Sequence, residues 1–171
     1  YVSFDNNGIG FAIAKSLVEH LKASGVAEVA GLLEINGSPT DAAAGLIRDG
    51  IHEALKDSGY VTLAEFDTPD WAPPKAQEWA AGQITRFGAD IKGVVAANDG
   101  TGGGAIAAFK AAGVDPVPPV TGNDATIAAL QLASGETSAP TAPLQPGFAA
   151  LAMAGTLASA TKPFDPMEKA F

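Results

Sequence analysis

The stretch Lys92-Gly93-Val94-Val95-Ala96-Ala97-Asn98-Asp99-Gly100-Thr101-Gly102-Gly103-Gly104 decides the fold. Gly93 to Ala97 is a short, unbroken apolar run without polar alternation, as expected of a strand buried on both faces in a parallel sheet. The second half of the stretch reads as a polar, glycine-rich turn, and Ala105 to Ala112 as the helix that follows. The same order recurs on both sides. Upstream, Glu28 to Ile35 and Val61 to Phe66 read as strands, and downstream Val117 to Thr121 does. Ile9, Ile13, Leu17 and Leu21 fall four apart on one helical face, which Gly25 ends. A second helix starts with Ser38 as N-cap, Pro39 at its first position and Asp41 at its third, and runs through Leu46, Ile47, Ile51 and Leu55 to near Gly59. Asp67 to Pro74 is a loop leading into a helix near Lys75 to Arg86. Thr126 to Ser134 is a short helix, Pro140, Pro143 and Pro146 mark a loop, and Gly147 to Ala160 is an Ala-rich helix.

Strands alternating with helices imply right-handed βαβ units and a parallel sheet covered on both faces. The expected fold is one three-layer α/β domain with five parallel strands, counting the strand-like run at Tyr1, in the flavodoxin-like order 2-1-3-4-5. No repeat is apparent beyond the βα alternation. The 171 residues suit one domain and bury roughly 68–70% of the unfolded surface without a staple. Apolar residues make up 47% and charged residues 17%, too apolar for a disordered chain. The net charge of -9 argues against nucleic acid or an anionic membrane surface as the main partner. Zero cysteine excludes a disulfide framework, a thiolate metal site and a cysteine nucleophile. No run approaches 18 apolar residues, so membrane insertion is not expected. Tyr1 to Asn6 has no leader-like pattern; it lacks an initiator Met and opens on an apolar, strand-like run, which suggests a chain cut from something longer.

In an open parallel sheet the ligand sits outside the carboxyl ends of the strands. Those ends carry Asn36-Gly37-Ser38, Asp67 to Trp71, Asn98-Asp99 and Asn123-Asp124. Amides both donate and accept, carboxylates accept, and a flat aromatic covers an apolar ring face, so the set matches what a polyol needs. Taken singly, each Asn or Asp also fits a turn or a cap. Trp71 alone fits packing, and Trp79, inside a helix, reads as core. Gly100-Thr101-Gly102-Gly103-Gly104-Ala105 formally matches G-x-G-x-x-A. It lies in the fourth unit rather than the first, and no acidic residue closes a strand about 20 residues on. These glycines read instead as letting a helix pack close to the sheet. His20 and His52 sit in helices without a metal-ligand partner at i+3 or i+4, and no G-x-S-x-G elbow exists. Neither a cofactor nor a metal nor catalysis is called for.

Four segments together resemble a known family: Tyr1-Val2-Ser3-Phe4-Asp5-Asn6, Asn36-Gly37-Ser38-Pro39-Thr40-Asp41, Val95-Ala96-Ala97-Asn98-Asp99 and Val117-Pro118-Pro119-Val120-Thr121-Gly122-Asn123-Asp124. They are similar, in order, to the type I periplasmic sugar-binding proteins of bacterial ABC importers, most of all the D-xylose-binding branch. The resemblance implies two α/β lobes joined by a hinge with the sugar between them. It implies that residues 1–160 are the C-terminal lobe, that 147–160 resembles a segment of a missing N-terminal lobe, and that 161–171 is a tail. It implies sugar contacts from Asn98 and Asp124, ring stacking by Trp71, and a hinge position at Gln145, where the spacing from Gly135 runs about two residues long. The implied partners are a pentose or similar monosaccharide, an ABC permease and the other lobe. The implied location is the periplasm, or the cell exterior on a lipoprotein anchor. One departure stands out: the family's Asn pair after S-P-x-D is Ala42-Ala43 here. An isolated lobe without ligand function, favoured by that pair, and a nucleotide-dependent oxidoreductase, resting on the glycine turn, are the alternatives. A regulator's sensor domain shares the lobe fold, but no basic or helix-turn-helix segment accompanies it.

Overall fold

A computed structural model describes residues 4–126 of the chain. Helix α1 (Asn6–Ala23) is capped by Asp5, whose side chain accepts from the Gly8 amide at 3.0 Å. It is followed by β1 (Gly31–Asn36), α2 (Ala42–Leu55), β2 (Val61–Asp67), α3 (Pro73–Phe87), β3 (Ile91–Ala96) and α4 (Asp99–Ala111). The three strands pair in parallel in the order β2-β1-β3. Val120 adds a parallel bridge to Val94 beyond β3. Counted from β1, this is the 2-1-3-4 start of the flavodoxin-like order. Of the strand-like run expected at Tyr1 to Asn6, residues 1–3 lie outside the described residues; Asp5 caps a helix and Asn6 begins it, and among the described strands β1 lies between β2 and β3.

Alternation along the strands divides the core into two layers. Leu32, Val95 and Ala97 face α1 and α2, against Ile13, Leu17, Ile47 and Ile51. Leu33, Ile35, Val94 and Ala96 face α3 and α4, against Ala80, Ile84 and Phe109. Each large aliphatic side chain buried this way contributes about 1.5–3 kcal/mol relative to exposure. Every residue of β1 is buried, whereas β2, with no further strand beside it among the described residues, has no fully buried residue. Trp79 belongs to the second layer and stacks on Phe66, ring centroids 5.3 Å apart.

Several boundaries differ from the sequence reading. Val29 takes φ 74° and is 78% exposed, so β1 starts only at Gly31. Helix α2 is capped by Asp41, not Ser38: Asp41 is extended and its carboxylate accepts from the Ala43 amide at 2.9 Å. Ser38 instead closes a turn, its carbonyl accepting from the Asp41 amide at 3.0 Å. Helix α4 starts at Asp99, because Asn98 caps it through Thr101. The glycines 100 and 102–104 therefore lie inside the helix. Among them Gly104 lets α4 pack close to α3, since a Cβ there would stand 2.5 Å from the Pro73 carbonyl oxygen, whereas Gly103 faces open space. The run 117–121 does not form a full ladder. Pro118 and Pro119 have no N–H to give, and Thr121 compensates with its hydroxyl, which accepts from the Ala96 amide at 2.8 Å. Thr126 to Ser134, Gln145, the 147–160 helix and the 161–171 tail fall at or beyond the end of the described residues.

Candidate functional site

The carboxyl ends of the strands open onto a cavity of about 520 Å³. Its floor is apolar: Ile9 from α1, Ile47 from α2 and Ala97 after β3. Around it stand Phe4, Asn6, Trp71, Asn98, Asn123 and Asp124. Three of the four residues singled out from the sequence, Trp71, Asn98 and Asp124, thus meet in one place, although they follow β2, β3 and the Val120 bridge. Gln145 lies outside the described residues.

Each wall residue is held by local chemistry. Trp71 ends a 3-10 turn, Pro69–Trp71, in which Asp70 and Trp71 both take left-handed φ values of 58° and 55°. The indole lies on the backbone of Gly37, where any Cβ would meet the ring carbons. Its Nε1–H donates to Asp41 Oδ2 at 3.1 Å. Asp41 therefore uses one oxygen to cap α2 and the other to orient Trp71. Asn98 spends its Oδ1 on the Thr101 amide and hydroxyl, both at 2.9 Å, which leaves its Nδ2 as the donor for the cavity. Asp124 sits at φ 93° and accepts from Asn123 Nδ2 at 3.1 Å. Burial raises its carboxyl above the ordinary range.

Asp99, buried behind this wall, holds the Asn123–Asp124 turn from both sides. Its amide donates to the Asn123 carbonyl at 3.0 Å, and its Oδ2 accepts from the Thr126 amide at 2.7 Å. Gly122 is small so that Asp99 Oδ1 can approach. Burial raises the Asp99 carboxyl as well; the hydrogen bonds from Thr126 oppose the rise and the Asp124 charge adds to it. The sequence pointed to Asn98-Asp99 as a pair but not to this division of labour. Phe4 and Asn6 escaped residue-level notice because nothing in a helix N-terminus announces that it borders a cavity. The assembled wall offers an aromatic face, amide donors and a carboxylate acceptor over an apolar floor. That suits a small neutral molecule with both hydroxyls and a C–H face.

A parallel sheet between two helical layers, with polar groups gathered around a cavity at its carboxyl edge, defines a three-layer α/β lobe. The chain belongs to the periplasmic binding protein domain family, whose model matches residues 1–162. It is 33% identical over 145 residues to the D-xylose-binding periplasmic protein of Escherichia coli K12, covering 82% of this chain and 42% of that protein. It is 36% identical over 135 residues to the D-xylose-binding periplasmic protein of Haemophilus influenzae, covering 77% and 39%. The chain thus spans about two fifths of the curated relatives it matches. Among solved structures, a twin-arginine translocation pathway signal protein from Burkholderia phytofirmans superposes with a TM-score of 0.68 at 34% identity, covering 78% of this chain and 40% of that one. An ABC transporter solute binding protein from Clostridium phytofermentans, with bound β-D-glucose, gives 0.66 at 26%, covering 78% and 45%. Among the described residues no helix is long and apolar enough to cross a membrane.

Proposed function

We propose that this chain is the C-terminal-type lobe, residues 1–160 followed by a tail at 161–171, of a sugar receptor that delivers a pentose or similar aldose to an ABC permease. The convergence of Trp71, Asn98 and Asp124 on one cavity carries this reading. Trp71 covers the C–H face of the ring, Asn98 Nδ2 donates to a hydroxyl, and Asp124 accepts from another. Gln145 is the hinge-side contact. No group in the reading performs bond chemistry; the work is recognition. A second lobe would supply the opposite wall, and the receptor would work in the periplasm, or outside the cell on a lipoprotein anchor. The relatives named D-xylose-binding periplasmic protein support the ligand class and the compartment.

A cavity with one wall leaves much of the ligand in water, so the lobe alone binds weakly. The test uses the full chain with Trp79→Phe, so that Trp71 is the remaining indole. D-xylose is expected to change its fluorescence saturably in the millimolar range, with the response lost in Asp124→Asn and no response to NAD. Silence toward D-xylose and D-glucose at tens of millimolar overturns sugar binding by this lobe. Micromolar affinity overturns the need for a second wall. The isolated-lobe reading keeps one specific observation in its favour. The first turn of α2 carries Ala42 and Ala43, and neither has a polar side chain to offer a ligand. Silence in the titration would select it.

A further inference from the structure

We propose that Glu34, His52 and Glu65 form a binding site for one divalent transition-metal ion of the zinc type, separate from the cavity at the strand ends. Glu34 and Glu65 are direct neighbours in the β1–β2 register. Like charges placed opposite one another across a sheet are destabilising unless something neutralises them. Helix α2 brings His52 over the pair: Nε2 lies 2.9 Å from Glu34 Oε1 and 3.3 Å from Glu65 Oε1. All three ligand atoms fall within 4.8 Å of one another. Ligands held about 2.0–2.1 Å from an ion stand roughly 2.9–3.4 Å apart, from octahedral to tetrahedral geometry, and both histidine distances fall in that range.

A second observation points to a cation rather than to a simple charge pair. Glu34 is 1% exposed, and neither of its carboxylate oxygens accepts an aligned hydrogen bond. The His52 contact is one of distance, and a single imidazole nitrogen carries at most one proton for two carboxylates. One divalent ion would neutralise both carboxylates and take the imidazole as its third ligand. The neighbouring position on the same two elements is solved differently: Arg48, one turn before His52, pairs with Asp67, two residues after Glu65, at 3.1 Å. Asn36 Nδ2 donates to Glu65 Oε1 at 2.9 Å and orients it, as outer-shell partners of metal ligands do. The His52 and Glu65 side chains are 47% and 38% exposed, which leaves a path from solvent and room for water to complete the coordination.

The test takes the full chain, stripped with EDTA and dialysed, and titrates it with Zn²⁺ calorimetrically and with Co²⁺ by visible absorption. One ion per chain is expected, with a rise in Tm, and both are lost in His52→Gln and in Glu65→Gln. Both variants change exposed side chains, and circular dichroism checks that they stay folded. His20→Gln, on the exposed side of α1, should bind as the unaltered chain does. Absence of stoichiometric uptake by the unaltered chain overturns the proposal. So does uptake that persists in His52→Gln and Glu65→Gln, or that disappears equally in His20→Gln.

Discussion

Asp41 joins local helix stability to the cavity, and separating its two jobs tests how the wall is built. One oxygen caps α2 through the Ala43 amide at 2.9 Å, and the other holds the Trp71 indole at 3.1 Å. Losing an N-cap costs about 1 kcal/mol. Losing the indole hydrogen bond at an exposed position adds roughly 0.5–1 kcal/mol. Asp41→Ala should therefore cost about 1.5–2 kcal/mol, a fall in Tm of about 3–8 °C for a chain of this size. Asp41→Ser keeps a competent cap, but its short hydroxyl cannot also reach the indole. It should recover more than half of that loss, while the Trp71 signal in the Trp79→Phe background still changes. The assay is thermal unfolding by circular dichroism beside Trp71 emission. Equal destabilisation of the two variants would refute the capping assignment. Unchanged emission in Asp41→Ser would refute the claim that Asp41 orients Trp71.

Three further outcomes follow from the packing and the titration. Glu34, in metal-free protein, keeps its proton to about pH 7 when folded and releases it near 4.5 when unfolded. Its contribution is therefore fully present below about pH 4.5 and lost as the pH rises through about 7, a fall on the order of 3 kcal/mol. Glu34→Gln should flatten that slope in urea melts between pH 5 and 8; an unchanged slope would show that other groups set it. Gly10→Ala pushes a methyl group into the Ile47 carbonyl where α1 crosses α2, and should destabilise by about 1–3 kcal/mol. Gly82→Ala, with nothing within 4 Å in α3, should stabilise by about 0.5–1 kcal/mol, so the two melts should move in opposite directions. Phe109→Ala empties the centre of the α3–α4 layer, where Phe109 is 1% exposed, and should cost about 3–5 kcal/mol by chemical denaturation.

Much of the fold was legible because periodicity carries it. The unbroken run Gly93 to Ala97 announces a buried strand, and the four-residue spacing from Ile9 to Leu21 announces α1. Boundaries were harder, because Ser38, Asp41 and Asn98 are all competent caps and only backbone geometry chooses among them. At the site, the rule that ligands gather at carboxyl ends brought Trp71, Asn98 and Asp124 forward. It did not reveal that Asn98 spends its oxygen on its own helix, or that Asp99 works behind the wall.

His52 shows the division most clearly. Along the chain it has no ligand partner at i+3 or i+4, so a search for helical metal spacing passes over it. Its neighbours, Glu34 and Glu65, lie on two strands, placed opposite each other by register and beneath α2 by the crossover. The one linear hint was a glutamate inside the otherwise apolar Gly31-Leu32-Leu33-Glu34-Ile35. By itself the sequence determined the alternation of strands and helices, the apolar faces, the net charge of -9 and the polar strand ends. These follow from each residue's own chemistry and from its spacing to near neighbours. Only the tertiary structure decided which strand ends share a cavity, which oxygen of Asp41 serves which partner, and which carboxylates meet an imidazole. Those depend on strand register and crossover geometry, which bring together residues that no local spacing relates.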